Sequence, residues 1–157
     1  MGQRESSIYP RTSAEETREI GIELLELETL LDRADIVTIH TPLTAETEGL
    51  IGESELRRLT DSYLVNTARG GVIDEEALIR AVEADQLAGV ALDVLATEPP
   101  DSDNPLLRSP DVLVTPHTAG TSEGYLKRAA EQSAAKVGTV LRGGRPETTV
   151  NPQVFDA

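Results

Sequence analysis

The stretch Tyr63-Leu64-Val65-Asn66-Thr67-Ala68-Arg69-Gly70-Gly71-Val72-Ile73-Asp74-Glu75-Glu76-Ala77-Leu78 holds a strand, a polar loop and the start of a helix. Residues 63–65 are a short apolar run, and residues 66–71 replace it abruptly with polar side chains and two glycines. Asp74 has the short acceptor side chain of a helix N-cap, and Ala77, Leu78, Ala81 and Val82 share one face of a helix over residues 75–83. On either side the same unit recurs. Strand candidates begin at residues 36, 63, 90 and 112, steps of 27, 27 and 22, which leave room for a crossover helix each time. The sequence predicts an α/β fold built on a parallel sheet.

The other elements follow from periodicity. A first crossover helix is expected over residues 53–59. The last helix carries Leu126, Ala129, Ala130, Ser133, Val137, Val140 and Leu141 on an inner face, with Thr121 or Ser122 to cap it and Gly143-Gly144 to stop it. Before residue 34 the pattern weakens to a strand near Ile8, a helix from Ala14, a short strand at residues 22–24 and a helix from Glu28. The tail after Pro146 has no periodicity and reads as an extended strap.

A chain of 157 residues is the size of one domain. Its 28 acidic residues against 14 Lys plus Arg give a net charge of -14, which repels nucleic-acid phosphates and anionic lipids and argues against both as partners. Lys127 and Lys136 are its only lysines, and such an acid-rich, lysine-poor composition is expected of a halophilic, high-salt cytoplasm. With no cysteine, disulfides, thiolate nucleophiles and sulfur-bound metals are excluded. No apolar run approaches a membrane span, and residues 1–20 are unlike a signal peptide, so a cytoplasmic protein is expected.

Chemistry is expected where the strands end. His40-Thr41-Pro42 follows the first clear strand, residues 66–71 the second, Asp93 the third and Thr115-Pro116-His117 the fourth. In open α/β sheets ligands bind beyond the carboxyl ends of the strands, so the four clusters would line one edge. His117, with Pro116 before it and Gly120 after it, offers an imidazole for proton transfer near neutral pH. Glu98, in the stiff setting of Pro99-Pro100, is a carboxylate that can orient that imidazole. Arg69, flanked by small residues, can grip a planar carboxylate through two parallel hydrogen bonds. Taken singly each reads more readily as something ordinary, His117 as a satisfied hydrogen-bonding residue, Arg69 as an answer to the negative surface and Glu98 as a solvated loop acid, and it is their convergence on one edge that points to function. His40 shapes a pocket in this reading and takes no part in proton transfer. Two histidines 77 residues apart make no metal site of standard spacing.

These motifs resemble the D-isomer-specific 2-hydroxyacid dehydrogenases, which include phosphoglycerate, glyoxylate or hydroxypyruvate, and D-lactate dehydrogenases. The resemblance rests on His40-Thr41-Pro42-Leu43-Thr44 with Thr47, Gly49 and Leu50; on residues 66–78; on Ala91-Leu92-Asp93-Val94 with Glu98-Pro99; and on Thr115-Pro116-His117 with Gly120 and Thr121. It implies a Rossmann-like, doubly wound parallel sheet and hydride transfer between NAD(H) and C2 of a small 2-hydroxy or 2-keto acid. By the same resemblance Arg69 binds the substrate carboxylate, His117 protonates the carbonyl oxygen, and Glu98 pairs with His117. Asp93 would meet the nicotinamide carboxamide, while His40, Thr41, Pro42, Thr67, Ala68, Arg69, His117, Thr118, Ala119 and Gly120 border the cofactor. Family members are commonly homodimers.

Three departures qualify these expectations. No G-x-G-x-x-G occurs, so the sheet is expected to be truncated, lacking strand 1 and the glycine-rich turn. Without that central strand the first two strands should be separated from the rest. Where the family places a ribose-binding acid this sequence has Tyr9, followed by Pro10 and Arg11, which leaves NADP possible beside NAD. Residues 1–145 are then a partial dinucleotide-binding domain and residues 146–157 a tail returning toward an absent substrate domain. The expected function is an oxidoreductase domain, incomplete by itself and working with a separate N-terminal chain. The alternative is a non-catalytic remnant or split-enzyme subunit that binds a partner chain or weakly binds nucleotide. An unrelated α/β binding module would need four motif matches by coincidence.

Overall fold

The structure is a computed structural model that describes residues 6, 7, 17, 19 and 21–156. The expected strand at Ile8, the start of the helix at Ala14, and Tyr9, Pro10 and Arg11 lie outside the described residues. In chain order the elements are β1 (Ser6–Ser7), β2 (Glu23–Leu24), α1 (Leu27–Arg33), β3 (Ile36–Ile39), α2 (Glu53–Leu56), β4 (Tyr63–Asn66), α3 (Glu75–Glu83), β5 (Gly89–Leu92), β6 (Val112–Val114) and α4 (Glu123–Leu141). Short 3-10 turns occupy Gly70–Val72, Pro105–Leu107 and Pro152–Phe155. Two compact units divide between His117 and Thr118.

In the first unit β3, β4, β5 and β6 form one parallel sheet in that order. The register aligns Val37, Leu64, Val90 and Val112 in one row and Ile39, Asn66, Leu92 and Val114 in a second. Because strand side chains alternate in direction, both rows point the same way. They meet Leu31 of α1, Leu56 of α2, Ala77, Leu78 and Ala81 of α3, and the buried Leu59 and Leu106 in one apolar core. On the opposite face Ile36, Tyr63 and Leu113 are each more than half exposed. Among the described residues β1 and β2 pair in parallel as a two-stranded sheet.

Local chemistry explains the helix ends. The Asp74 carboxylate accepts the Ala77 amide at 3.1 Å and starts α3 as expected. α2 is shorter than the expected residues 53–59. After Leu56 the chain tightens into i−3 bonds, from the Arg58 amide to the Glu55 carbonyl and from the Leu59 amide to the Leu56 carbonyl. Leu59 still reaches the core, so the apolar period was a sound guide to burial although not to helix length.

The second unit holds α4 and the tail. The Ser122 hydroxyl accepts the Tyr125 amide at 3.2 Å, and Gly143 turns left-handed with φ of +76° to end the helix. No residue of α4 is buried, and among the described residues its own unit offers no second long helix or sheet against the expected inner face. The tail is also not an extended strap. It folds into the turn Pro152–Phe155, and Arg145 clasps it through the Pro152 carbonyl, the Asp156 carboxylate and the face of Phe155. Among the described residues no helix is long and apolar enough to cross a membrane.

The one-sided burial has a measurable consequence. Leu64 is fully buried and its chain neighbour Tyr63 is 52% exposed. Leu64→Ala is expected to cost about 2–5 kcal/mol in urea unfolding, and Tyr63→Ala less than about 1 kcal/mol. Similar costs for the two would contradict the assigned faces.

Candidate active site

The parallel ladder continues one residue beyond the strands. The Asp93 amide donates to the Asn66 carbonyl and the Thr115 amide to the Leu92 carbonyl, each at 2.9 Å. The polar residues that follow β4, β5 and β6 are therefore held side by side at the carboxyl edge. Beyond β3, His40 is exposed and its Nε2 lies 3.0 Å from the Thr38 hydroxyl. The loop after it is closed by Thr47, whose hydroxyl donates to the Pro42 carbonyl at 2.6 Å. Thr41 is half-buried and Pro42 exposed in that loop.

Asn66 organises the loop after β4. It is completely buried in a row of apolar side chains, yet both ends of its amide are satisfied locally. Oδ1 accepts the Ala68 amide and Nδ2 donates to the Arg69 carbonyl, both at 3.0 Å. This clamp bends the chain through exposed Thr67 and half-buried Ala68 and leaves Arg69 exposed, with Nη1 donating to the Ala68 carbonyl at 2.6 Å. Among the described residues no carboxylate pairs with the guanidinium, so most of its donors are open to a ligand. Gly70 is required by packing. A Cβ there would fall 2.0 Å from the Leu95 carbonyl oxygen, so only glycine lets the Arg69 loop lie against the loop that follows β5.

Two carboxylates occupy the loop after β5. Asp93 is buried, and its Oδ1 accepts the Thr115 hydroxyl at 2.5 Å. Glu98 is exposed, and the Glu98–Pro99 peptide is cis. Its Oε1 accepts the Leu95 amide at 3.1 Å while its Oε2 meets His117 Nδ1 at 2.7 Å. That histidine and, secondly, the Leu95 amide hold the Glu98 carboxyl below the usual range, against smaller opposition from burial and Asp93. An ionised carboxylate only accepts hydrogen bonds, so Nδ1 carries the hydrogen and Nε2 is left to face a ligand. His117 adopts φ of +53°, an uncommon left-handed conformation for a residue with a side chain, of the kind found at functional sites.

The structure thus brings Glu98 and His117 into contact, and it sets Arg69 and Asp93 on neighbouring strand ends. Thr118, Ala119 and Gly120 belong to the second unit and are exposed. A Cβ at Gly120 would meet nothing within 4 Å among the described residues. The sequence reading passed over Asn66 and Thr115 as side chains with a task. Their signal is weak, since a polar residue at a strand end gives no hint that it is buried. A groove of about 480 Å³ at the other end of the sheet, lined among others by Glu83, Asp85, Asp103, Arg108 and Asp111, contains none of these groups. The carboxyl edge, by contrast, holds the Glu98–His117 pair and the exposed Arg69.

The chain is similar to proteins of one known family. The family described as D-isomer specific 2-hydroxyacid dehydrogenase, NAD binding domain, matches residues 5–119. A glyoxylate reductase of Thermofilum pendens is 43% identical over 136 residues, 86% of this chain and 40% of the relative. A D-3-phosphoglycerate dehydrogenase of Archaeoglobus fulgidus is 45% identical over 114 residues, 72% of this chain and 22% of the relative. Among solved structures, the NAD complex of a D-isomer specific 2-hydroxyacid dehydrogenase from Lactobacillus delbrueckii ssp. bulgaricus superposes with a TM-score of 0.80 at 32% identity, covering 92% of this chain and 48% of that one. The chain spans less than half the length of these relatives.

Two outcomes check the geometry. Gly70→Ala is expected to lower stability by about 1–3 kcal/mol because the Cβ meets backbone, whereas Gly120→Ala should stay within about 0.5 kcal/mol. Equal effects in urea unfolding would contradict the close approach at Gly70. The Glu98 carboxyl is lowered in the folded state, so its contribution is fully present above its unfolded value of about 4.3 and is lost as pH falls through the lower folded value. The stability difference between wild type and Glu98→Gln is therefore expected to shrink as pH falls through that window. A difference that grew toward low pH would have the wrong sign.

Proposed function

Since this chain belongs to the D-isomer specific 2-hydroxyacid dehydrogenase family through its NAD-binding domain, we propose that it serves hydride transfer between NAD(H) and C2 of a small D-2-hydroxy or 2-keto acid. The observation that carries the proposal is the Glu98–His117 contact at 2.7 Å on the same sheet edge as an open Arg69. The residues present suit a nicotinamide. Asp93 is a buried acceptor at the strand end, fit for a carboxamide N–H, and His40, Thr41, Pro42, Thr67, Ala68 and residues 117–120 would border the cofactor. When bound, the cofactor supplies or receives the hydride.

The chain's own residues do the rest. Arg69 binds the carboxylate of the acid through paired N–H groups and so fixes the neighbouring carbonyl. As hydride reaches C2, the electron pair of the carbonyl bond moves to its oxygen, and His117 gives that oxygen the proton on Nε2. Glu98 holds the ring by Nδ1 and offsets the charge of the imidazolium before transfer. In the reverse direction Nε2 accepts the hydroxyl proton as hydride leaves C2.

The choice of acid, of NAD or NADP, and of a second copy or a separate N-terminal chain as partner belongs to the same proposal, as does the assignment of residues 1–145 to the dinucleotide-binding domain. In the alternative, a subunit that binds nucleotide or a partner chain without turnover, NADH would bind but no keto acid would be reduced. The chain is tested with NADH and NADPH by fluorescence titration, then by loss of NADH absorbance with glyoxylate, hydroxypyruvate or pyruvate. In an enzyme assembled with the separate N-terminal chain, His117→Ala is expected to lower kcat by about 100-fold or more while NADH affinity is kept, and Arg69→Ala to weaken the keto acid more than NADH. Wild-type turnover in His117→Ala would sink the proton-transfer role, and an unchanged KM in Arg69→Ala would sink the clamp.

A further inference from the structure

Glu75, the first residue of α3, lies in a motif that the proposed chemistry does not use. An acid in the first helical turn is favourable on general electrostatic grounds, but that task is already met by the cap Asp74 and by exposed Glu76. Both oxygens of Glu75 instead reach across to the loop that carries Glu98. Oε2 accepts the Ala96 amide at 2.7 Å, and Oε1 accepts Nδ2 of Asn104 at 2.9 Å. Asn104 in turn accepts the Leu106 amide at 3.0 Å, and Leu106 is fully buried in the core. The loop over residues 95–104 is thus tied at both ends to one carboxylate on a packed helix.

The two ties have unequal neighbours. The amide before Ala96 belongs to Leu95 and is held by Glu98 Oε1, while Leu95's carbonyl lies against Gly70. Adjacent amides are therefore claimed by two carboxylates, one anchored in α3 and one bonded to His117. We propose that Glu75 is a positioning residue for the Glu98–His117 pair, holding the Leu95–Ala96 peptide where Glu98 can take the Leu95 amide with one oxygen and the imidazole with the other. This rests on reading that pair as the proton-transfer unit. Glu75 touches neither substrate nor cofactor in this account. It acts by fixing the backbone on which Glu98 closes its ring of hydrogen bonds.

The test follows the Glu98 carboxyl directly in the whole chain, by side-chain carbon NMR on carboxyl-labelled glutamate, with Glu98→Gln to identify the signal and circular dichroism to confirm folding. In Glu75→Ala the Glu98 titration midpoint is expected to shift upward, because the Leu95 amide and His117 are both less well placed. Glu75→Gln keeps one acceptor for Ala96 but meets Asn104 with a second N–H group, so a smaller upward shift is expected. An unchanged midpoint in folded Glu75→Ala, or in Glu75→Gln if only that variant folds, overturns the brace even if stability falls. His117→Ala separates the two claims: it should raise the Glu98 midpoint with Glu75 intact, and failure there would overturn the pair rather than the brace.

Discussion

The parallel register of β4, β5 and β6 is the constraint on which the chemistry of this molecule depends. With Asn66 opposite Leu92 and Leu92 opposite Val114, the first residue past each strand falls at one level. The ladder bonds at Asp93 and Thr115 extend that level outward. A slip of one residue would turn Leu64, Val90 and Leu92 to the exposed face and scatter Arg69, Asp93 and His117. Core and site are thus specified together, because the rows that bury the apolar side chains also bring the polar strand ends level.

Beyond the ladder, local polar bonds join the loops, whose Val72, Ile73 and Leu95 also reach the core. Asn66 closes the first, Gly70 allows it to lie against the second, Thr115 fixes Asp93, and Glu98 joins its own loop to His117. Such networks are costly when half satisfied, and among the described residues no buried side-chain donor or acceptor lacks a partner. The charge balance adds a further condition. A molecule of net charge -14 repels anions in general, and the exposed Arg69, with no carboxylate partner among the described residues, is a local positive charge at the carboxyl edge. Added salt shortens the reach of the repulsion to about 10 Å or less and leaves a contact at bonding distance far less affected.

Much of this was legible in the residues. The strands at 36–39 and 112–114 and the helix at 75–83 coincide with the expected spans, because apolar runs, a capping Asp74 and a 3.6-residue period all agreed. The placing of Glu98 against His117 followed from strand ends meeting at one edge. Other features had no local signal. Asn66 is buried among leucines and valines only because the register points it inward, and Gly70 is dictated by a carbonyl 25 residues away in sequence, at Leu95. The last helix has the periodicity of a packed element, but periodicity says which face is apolar and not whether anything covers it. The tail folds through Arg145, whose partners Pro152, Phe155 and Asp156 show no pattern in sequence.

The most direct test of the central claim, that ligands bind at the carboxyl edge of this sheet, is a backbone amide NMR titration of the chain with NADH and oxamate, a stable analogue of a 2-keto acid. The largest shifts are expected at residues 67–70, 93, 95–98 and 115–117. Shifts concentrated instead around Glu83, Arg108 and Asp111, at the opposite end of the strands, or no shifts in the folded chain, would contradict it.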